Sequence, residues 1–197
     1  MTLYASTAQI KAALRIEDSV DDSLIAMAGS AASELIDGHC QRSFGTVSET
    51  RYYAAHDSYV LNIDDIAGTA LTLKTSTLAD QVYDVTWATK DYQLEPLNAV
   101  ADGLTWPYTR IRAVDDYLFP TAYGEKTVQI TAVFGFPSVP ASVTQAAVIQ
   151  ASRIFKRLDS PLGIAGFGEM GAMRVSKGLD PDVAQLVQPY IRNRGVA

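Results

Sequence analysis

The hydrophobic period of this chain changes twice, and that constrains the fold more than any motif in it. Up to Arg42 the apolar residues recur at helical spacing. From Glu49 to Phe136 the segments turn short, β-branched and aromatic, and at Pro140 helical spacing returns. A stretch patterned for 3.6 residues per turn does not settle as a strand, nor the reverse. The fold class is therefore α+β: a helical core of two N-terminal and two C-terminal helices, interrupted by an antiparallel β sandwich or barrel. The boundaries are 1–44 for the first helices, 45–137 for the β-rich insert and 138–197 for a C-terminal helix–loop–helix. The two helical parts are expected to meet in space.

Local signals refine these spans. Ser6 with Gln9 three residues on is a capping box and starts a helix through Leu14. A longer helix is expected from Asp22 to His39, with Leu24, Ala28, Ala31, Leu35 and His39 as its stripe and Ile25, Ala32 and Ile36 beside it. Strands are expected at Thr50–Ala54, Tyr59–Ile63, Ala70–Lys74, Val82–Trp87, Tyr92–Glu95, Arg110–Val114 and Thr127–Phe134. The last alternates most cleanly. The third helix carries the stripe Val143, Ala147, Ala151, Ile154 and Leu158. The fourth opens on Asp180 as N-cap with Pro181 behind it, and Pro189 should kink or break it.

Bulk properties exclude several classes. The 197 residues carry a formal charge of −6, unevenly placed. Residues 1–139 hold 18 acidic and 9 basic side chains, giving −9; residues 140–197 hold 4 and 7, giving +3. An acidic body argues against a general nucleic-acid binder. Cys40 is the one cysteine, so no intramolecular disulfide can form. Residues Met1–Ser6 lack the features of a secretory signal, and no apolar run reaches membrane-spanning length.

Catalytic chemistry is sparse. Gly166-Phe167-Gly168-Glu169-Met170-Gly171 spells GxGxxG, but a dinucleotide turn needs a strand before the glycines and a helix opening after them. Here a helix precedes and the next begins only near Asp180, so no cofactor is expected. His39 beside Cys40 is a poor metal pair, because adjacent helical residues diverge by about 100°, and a zinc site needs more ligands. His39 reads as a buried or boundary histidine, His56 as a turn residue. Asp21/Asp22 read as helix-start charge, and Asp64/Asp65 and Asp115/Asp116 as turns. No nucleophile elbow, P-loop or HExxH is present. Neither a catalytic nor a metal site is expected.

The loop between the last two helices is harder to explain as plain surface. Leu162, Ile164, Phe167, Met170, Met173 and Val175 are too apolar for a free loop, and loops this long are often functional. Glycine freedom joined to side chains that want burial suits a segment that orders against another chain. Arg153, Lys156, Arg157, Arg174, Lys177, Arg192 and Arg194 are either solvated basic residues or a docking surface for an acidic partner.

Both ends of the chain resemble a known family. Thr7-Ala8-Gln9-Ile10-Lys11-Ala12-Ala13-Leu14-Arg15-Ile16, Asp21-Asp22-Ser23-Leu24-Ile25 and Gln41-Arg42-Ser43-Phe44 are similar to the head–tail connector (adaptor) proteins of long-tailed bacteriophages. So are the helix Val139–Leu158, Asp159-Ser160-Pro161-Leu162-Gly163, Gly166-Phe167-Gly168 and Leu179-Asp180-Pro181-Asp182-Val183 through Pro189-Tyr190. The matches cover about half the chain, and the β insert departs from the smaller, mainly helical members. The resemblance implies a virion structural protein, assembled in the host cytoplasm, that forms a ring of usually twelve copies beneath the portal. Such a ring extends the channel for packaged DNA, without sequence-specific binding, and offers a platform to the next connector or tail protein. Leu162, Ile164, Phe167, Met170, Met173, Arg174, Lys177, Tyr190, Arg192 and Arg194 are the expected subunit or partner contacts. The alternatives are another neck or tail assembly component, or a receptor binder displaying aromatics of the insert: Tyr52, Tyr53, Trp87, Trp106 and Tyr108.

Overall fold

A computed structural model describes residues 2–101, 104–122, 124–157, 164–166, 172–174 and 178–192, with backbone alone for 104, 164–166 and 172–174. The architecture is α+β, as the changes of period require. The chain divides into two compact units, Met1–Gly45 with Val139–Ala197 and Thr46–Ser138.

The first unit is helical. Helix α1 (Thr7–Leu14) starts on the expected capping box, in which Gln9 N–H donates to Ser6 Oγ at 3.2 Å and Ser6 N–H to Gln9 Oε1 at 2.7 Å. It ends where Arg15 turns into the left-handed region, φ 60°. Helix α2 (Asp22–Cys40) packs along α3 (Ala141–Lys156), and α1 lies against both. Small side chains permit this: Ala28, Ala32, Ala146, Ala147 and Ala151 are all buried. At Gly29 a Cβ would come within 3.0 Å of Ile10 Cδ1, so even a methyl would force the α1 side chain to move.

The face that α2 buries is not the one its pattern suggests. Ile25, Ala28, Gly29, Ala32, Ser33, Ile36 and Cys40 point inward, whereas Leu24, Leu35 and His39 are exposed. The expected stripe mixed two faces. The helix is apolar on both sides, and periodicity alone cannot tell which side meets the core.

A polar cluster fastens the N-terminal residues to the end of α2. Tyr4 is buried; its hydroxyl donates to Asp37 Oδ1 at 2.5 Å and accepts from the Phe44 N–H at 2.9 Å. Burial pushes the Tyr4 phenol up to about 12. Burial also lifts the Asp37 carboxyl above its usual range, outweighing hydrogen bonds from Tyr4 and Ser43 that favour the charged form. The folded chain thus holds the Asp37 proton to higher pH than the unfolded chain does. By linkage, this residue contributes stability that is lost as pH rises from the unfolded aspartate range through the folded pKa. Asp37→Asn is expected to flatten that part of the stability profile, read from denaturant midpoints taken between acid and neutral pH. An unchanged slope would contradict the assignment.

The second unit is one antiparallel six-stranded sheet in the order β1-β8-β2-β7-β4, with β3 pairing β2 off that path. The strands are β1 (Val47–Tyr53), β2 (Val60–Thr75), β3 (Val85–Trp87), β4 (Tyr92–Glu95), β7 (Tyr108–Ala113) and β8 (Val128–Phe134); β5 (Val100–Ala101) and β6 (Leu104–Thr105) form a separate ribbon. Strand β8 buries Val128, Ile130, Ala132 and Phe134, as its alternation predicts. The expected strands Tyr59–Ile63 and Ala70–Lys74 are instead the two halves of β2. Its first half pairs β7 and its second half β8 and β3, with register shifts at Asn62/Ile66 and Ile66/Leu71. Asp64 and Asp65 therefore lie inside a strand, at a bulge, and not in a turn after one. The Asp65 carbonyl accepts the Gly135 N–H at 2.8 Å.

Candidate functional site

Helix α4 (Pro181–Val187) begins as its sequence dictates. Asp180 is the N-cap, its Oδ1 accepting the Asp182 N–H at 3.0 Å, and Pro181 follows. The same carboxylate pairs with Arg153 of α3, and the Asp180 N–H donates to the buried Gln150 Oε1 at 3.2 Å. Arg153, one of the basic residues considered for docking, is thus engaged within its own unit. Asp180→Ala removes a cap and one half of a partly buried ion pair, which together are expected to cost about 2–3 kcal/mol. Faster amide exchange across 181–187 would report it, and Asp180→Asn, which keeps a capping oxygen, should lose less.

After Val187 the α-helix gives way to a 3₁₀ turn, Gln188–Tyr190, where Pro189 cannot donate the next helical bond. The turn closes a seam against the end of α2. The Tyr190 ring meets Phe44 edge-on at 5.6 Å and 84°, and Phe44 meets Tyr4 edge-on at 5.6 Å and 89°. Ser142 Oγ donates to the Tyr190 hydroxyl at 3.1 Å, and the Arg192 N–H donates to the Cys40 carbonyl at 2.9 Å. Cys40 is fully buried with its thiol toward the Val187 carbonyl at 3.9 Å, and burial pushes it up to about 11. It is a core residue facing away from the exposed His39, so the two do not form a pair.

The remaining expected contacts are only partly visible. For Ile164, Met173 and Arg174 the backbone is described: β9 (Ile164–Gly166) pairs antiparallel with β10 (Ala172–Arg174), with Gly166 opposite Ala172. Leu162, Phe167, Met170, Lys177 and Arg194 lie outside the described residues. Strand β9 runs into the first glycine of the GxGxxG string, where the sequence led to the expectation of a preceding helix, and strand β10 follows the last. Sequence reading treated this stretch as loop. Three-residue strands are too short to show alternation.

The aromatics named for a receptor binder are unevenly exposed, and Tyr59, also in the insert, is exposed at 58%. Of Tyr52, Tyr53, Trp87, Trp106 and Tyr108, only Tyr52 is exposed, at 50%. Trp87 is core, and Trp106 lies against Phe136, ring centroids 5.9 Å apart. Glu95 is held between Arg112 at 2.7 Å and Arg110 at 3.4 Å on the neighbouring strand β7. Among the described residues no three His, Cys, Asp or Glu side chains are grouped to hold a metal ion, and no helix is long and apolar enough to cross a membrane.

The surface feature that sequence reading misplaced is the outer face of α2. Leu24 (41% exposed), Met27 (68%) and Leu35 (45%) lie along it with the half-buried Ala31, and Val20 precedes it at 84%. The spacing from Leu24 through Met27 and Ala31 to Leu35 is three, four and four residues, one helical stripe.

Among the described residues, then, one unit is built of four α-helices with an apolar outer stripe on α2, and the other of antiparallel strands. No protein-family model and no curated protein matches the chain. Solved structures do. A chain from the neck of an empty gene transfer agent particle, computed with C6 symmetry, aligns over 100% of this chain and 95% of its own, with TM-score 0.61 and 15% identity. A chain from the neck of the native particle, computed with C12 symmetry, aligns over 96% and 90%, with TM-score 0.54 and 18% identity. A chain from the virion of the native particle aligns over 98% and 92%, with TM-score 0.53 and 16% identity. The whole fold, helical unit and insert together, is shared with these chains.

Proposed function

We propose that this chain is a structural component of the neck of a phage-like particle. It forms a homo-oligomeric ring, of twelve copies in the virion, that sits below the portal, continues the DNA channel and joins head to tail. The observation that carries the proposal is the end-to-end alignment with a neck chain. That likeness includes the β insert, so it reaches beyond the terminal residues that resemble head–tail adaptors. The C6 and C12 symmetries of the similar necks support a ring. The role needs no catalysis, cofactor or metal, and the channel carries DNA without reading it.

Assembly, on this reading, uses the stretch 158–177 and the outer surfaces of the helical unit, while the seam at Tyr190 keeps the C-terminal turn folded within each copy. Particles made without the chain test the role. Filled heads and separate tails are expected in electron micrographs. Joined, infectious or gene-transferring particles in its absence would overturn the adaptor reading.

A further inference from the structure

We infer that a bridge built on Arg51 shuts the β1 edge of the sheet to strand addition, so that no extended segment of a second copy continues the sheet beyond β1. The inference concerns the β unit alone and does not rest on the ring reading. Strand β1 is the long edge of the six-stranded sheet: seven residues, paired among the described strands with β8. A strand bonded on one side leaves alternate N–H and C=O groups aimed outward, a template for another chain. The other outer strands are short. Strand β3 has three residues and β4 has four, and Pro96 after β4 has no N–H to donate.

A sheet built to grow would keep the core-facing row of its edge strand apolar. In β1 that row reads Val47, Glu49, Arg51 and Tyr53, opposite the buried Phe134, Ala132, Ile130 and Val128 of β8. The Arg51 guanidinium lies 4.1 Å from the centre of the Phe134 ring. Its Nη2 meets Glu49 Oε1 at 2.6 Å and its Nη1 meets Asp64 Oδ2 at 2.9 Å, and the Tyr53 hydroxyl donates to the same Asp64 oxygen at 3.2 Å. Asp64 comes from the bulged part of β2, beyond β8 in the sheet order, so the bridge spans three strands. The Arg51, Asp64 and Glu49 side chains keep 33%, 34% and 43% of their surface in water. A strand added along β1 would lay its own core-facing row against them and strip that water, a loss that ion pairing does not make good. The opposite row is polar and engaged: Thr50 Oγ1 and Thr131 Oγ1 lie 2.7 Å apart, and Gln129 Nε2 donates to the Tyr52 hydroxyl at 3.3 Å.

Amide exchange on the full-length chain, followed from dilute to concentrated solution, tests this without any substitution. The β1 amides that do not bond to β8 are expected to exchange at the same fast rate at every concentration. Protection of those amides that grows with concentration would overturn the inference. The converse test removes the bridge: Glu49→Val with Arg51→Val makes the core-facing row apolar and suited to a strand. Self-association of this variant, read by sedimentation, is expected to strengthen on the order of tenfold or more over the native chain. A photo-cross-linking amino acid at position 50 of the same variant should then join residues 47–53 of two copies. Thr50→Val adds an apolar side chain to the other row and leaves the bridge in place, so it should sediment as the native chain does. A folded double variant that also sediments like the native chain, or that cross-links only outside β1, would sink the role given to Arg51. So would association of Thr50→Val as strong as that of the double variant.

Discussion

Phe44→Ala is expected to destabilise the helical unit by about 3–5 kcal/mol, the cost typical of emptying a buried aromatic site. Phe44 is the middle ring of three. Its edges contact Tyr4 from the N-terminal residues and Tyr190 from the C-terminal turn, and it is buried against both. Its backbone N–H also fixes the Tyr4 hydroxyl that Asp37 receives. Truncation would leave a cavity where three separate stretches of chain meet, with little backbone freedom to collapse into it. Domains are stable by only about 5–15 kcal/mol, so this one change threatens the unit. Denaturant unfolding gives the magnitude, and amide exchange across 181–192 gives the location. A loss below about 1 kcal/mol, within the range of ordinary surface substitutions, would mean that the ring cluster does not close the unit.

Trp87→Ala is expected to cost a similar amount, about 3–5 kcal/mol, but in the β unit. Trp87 is 5% exposed, stacks on Phe119 at 4.8 Å and 16°, and contacts Tyr117 at 5.0 Å. Its indole N–H donates to the buried Thr75 hydroxyl at 3.0 Å. Strand β3 is three residues long and, among the described strands, pairs with β2; Trp87 is its buried residue. Trp87→Phe separates the contributions: it keeps most of the stacked area, gives up the hydrogen bond, and should cost about 1 kcal/mol from that bond plus a smaller packing loss. The apolar cluster around Trp87 is built wholly from residues of the insert. Its loss should therefore leave exchange protection of α2 and α3 unchanged, whereas Phe44→Ala should spare β2 and β8.

What the sequence made legible was whatever has a local cause. Ser6 with Gln9, and Asp180 with Pro181, fix helix starts through bonds to neighbours a few residues away, and both starts are found where expected. Strand β8 reads correctly because one of its faces is core and the other open. Strand β2 does not, because Asp64, Asp65 and Gly68 look like a turn. Pairing with β7, β8 and β3, residues distant in sequence, keeps that stretch extended through a bulge. Helix α2 was found with nearly correct limits but rotated about its axis. Two apolar faces give one period, and only the positions of α1, α3 and α4 decide which is buried. The candidate contacts divide in the same way. Tyr190 belongs to an internal seam that depends on Phe44 and Ser142, partners no spacing rule connects to it. The stripe on α2 was visible as leucines at helical spacing, and its exposure is a tertiary property.

The central claim is that this chain forms a ring in the neck. Electron cryomicroscopy of particles that contain it, reconstructed about the head–tail axis, tests this most directly. The expected result is a closed ring between portal and tail whose repeating density fits both the four-helix unit and the six-stranded sheet of this chain. A neck lacking that density, or the chain found only away from the head–tail axis, would contradict the claim.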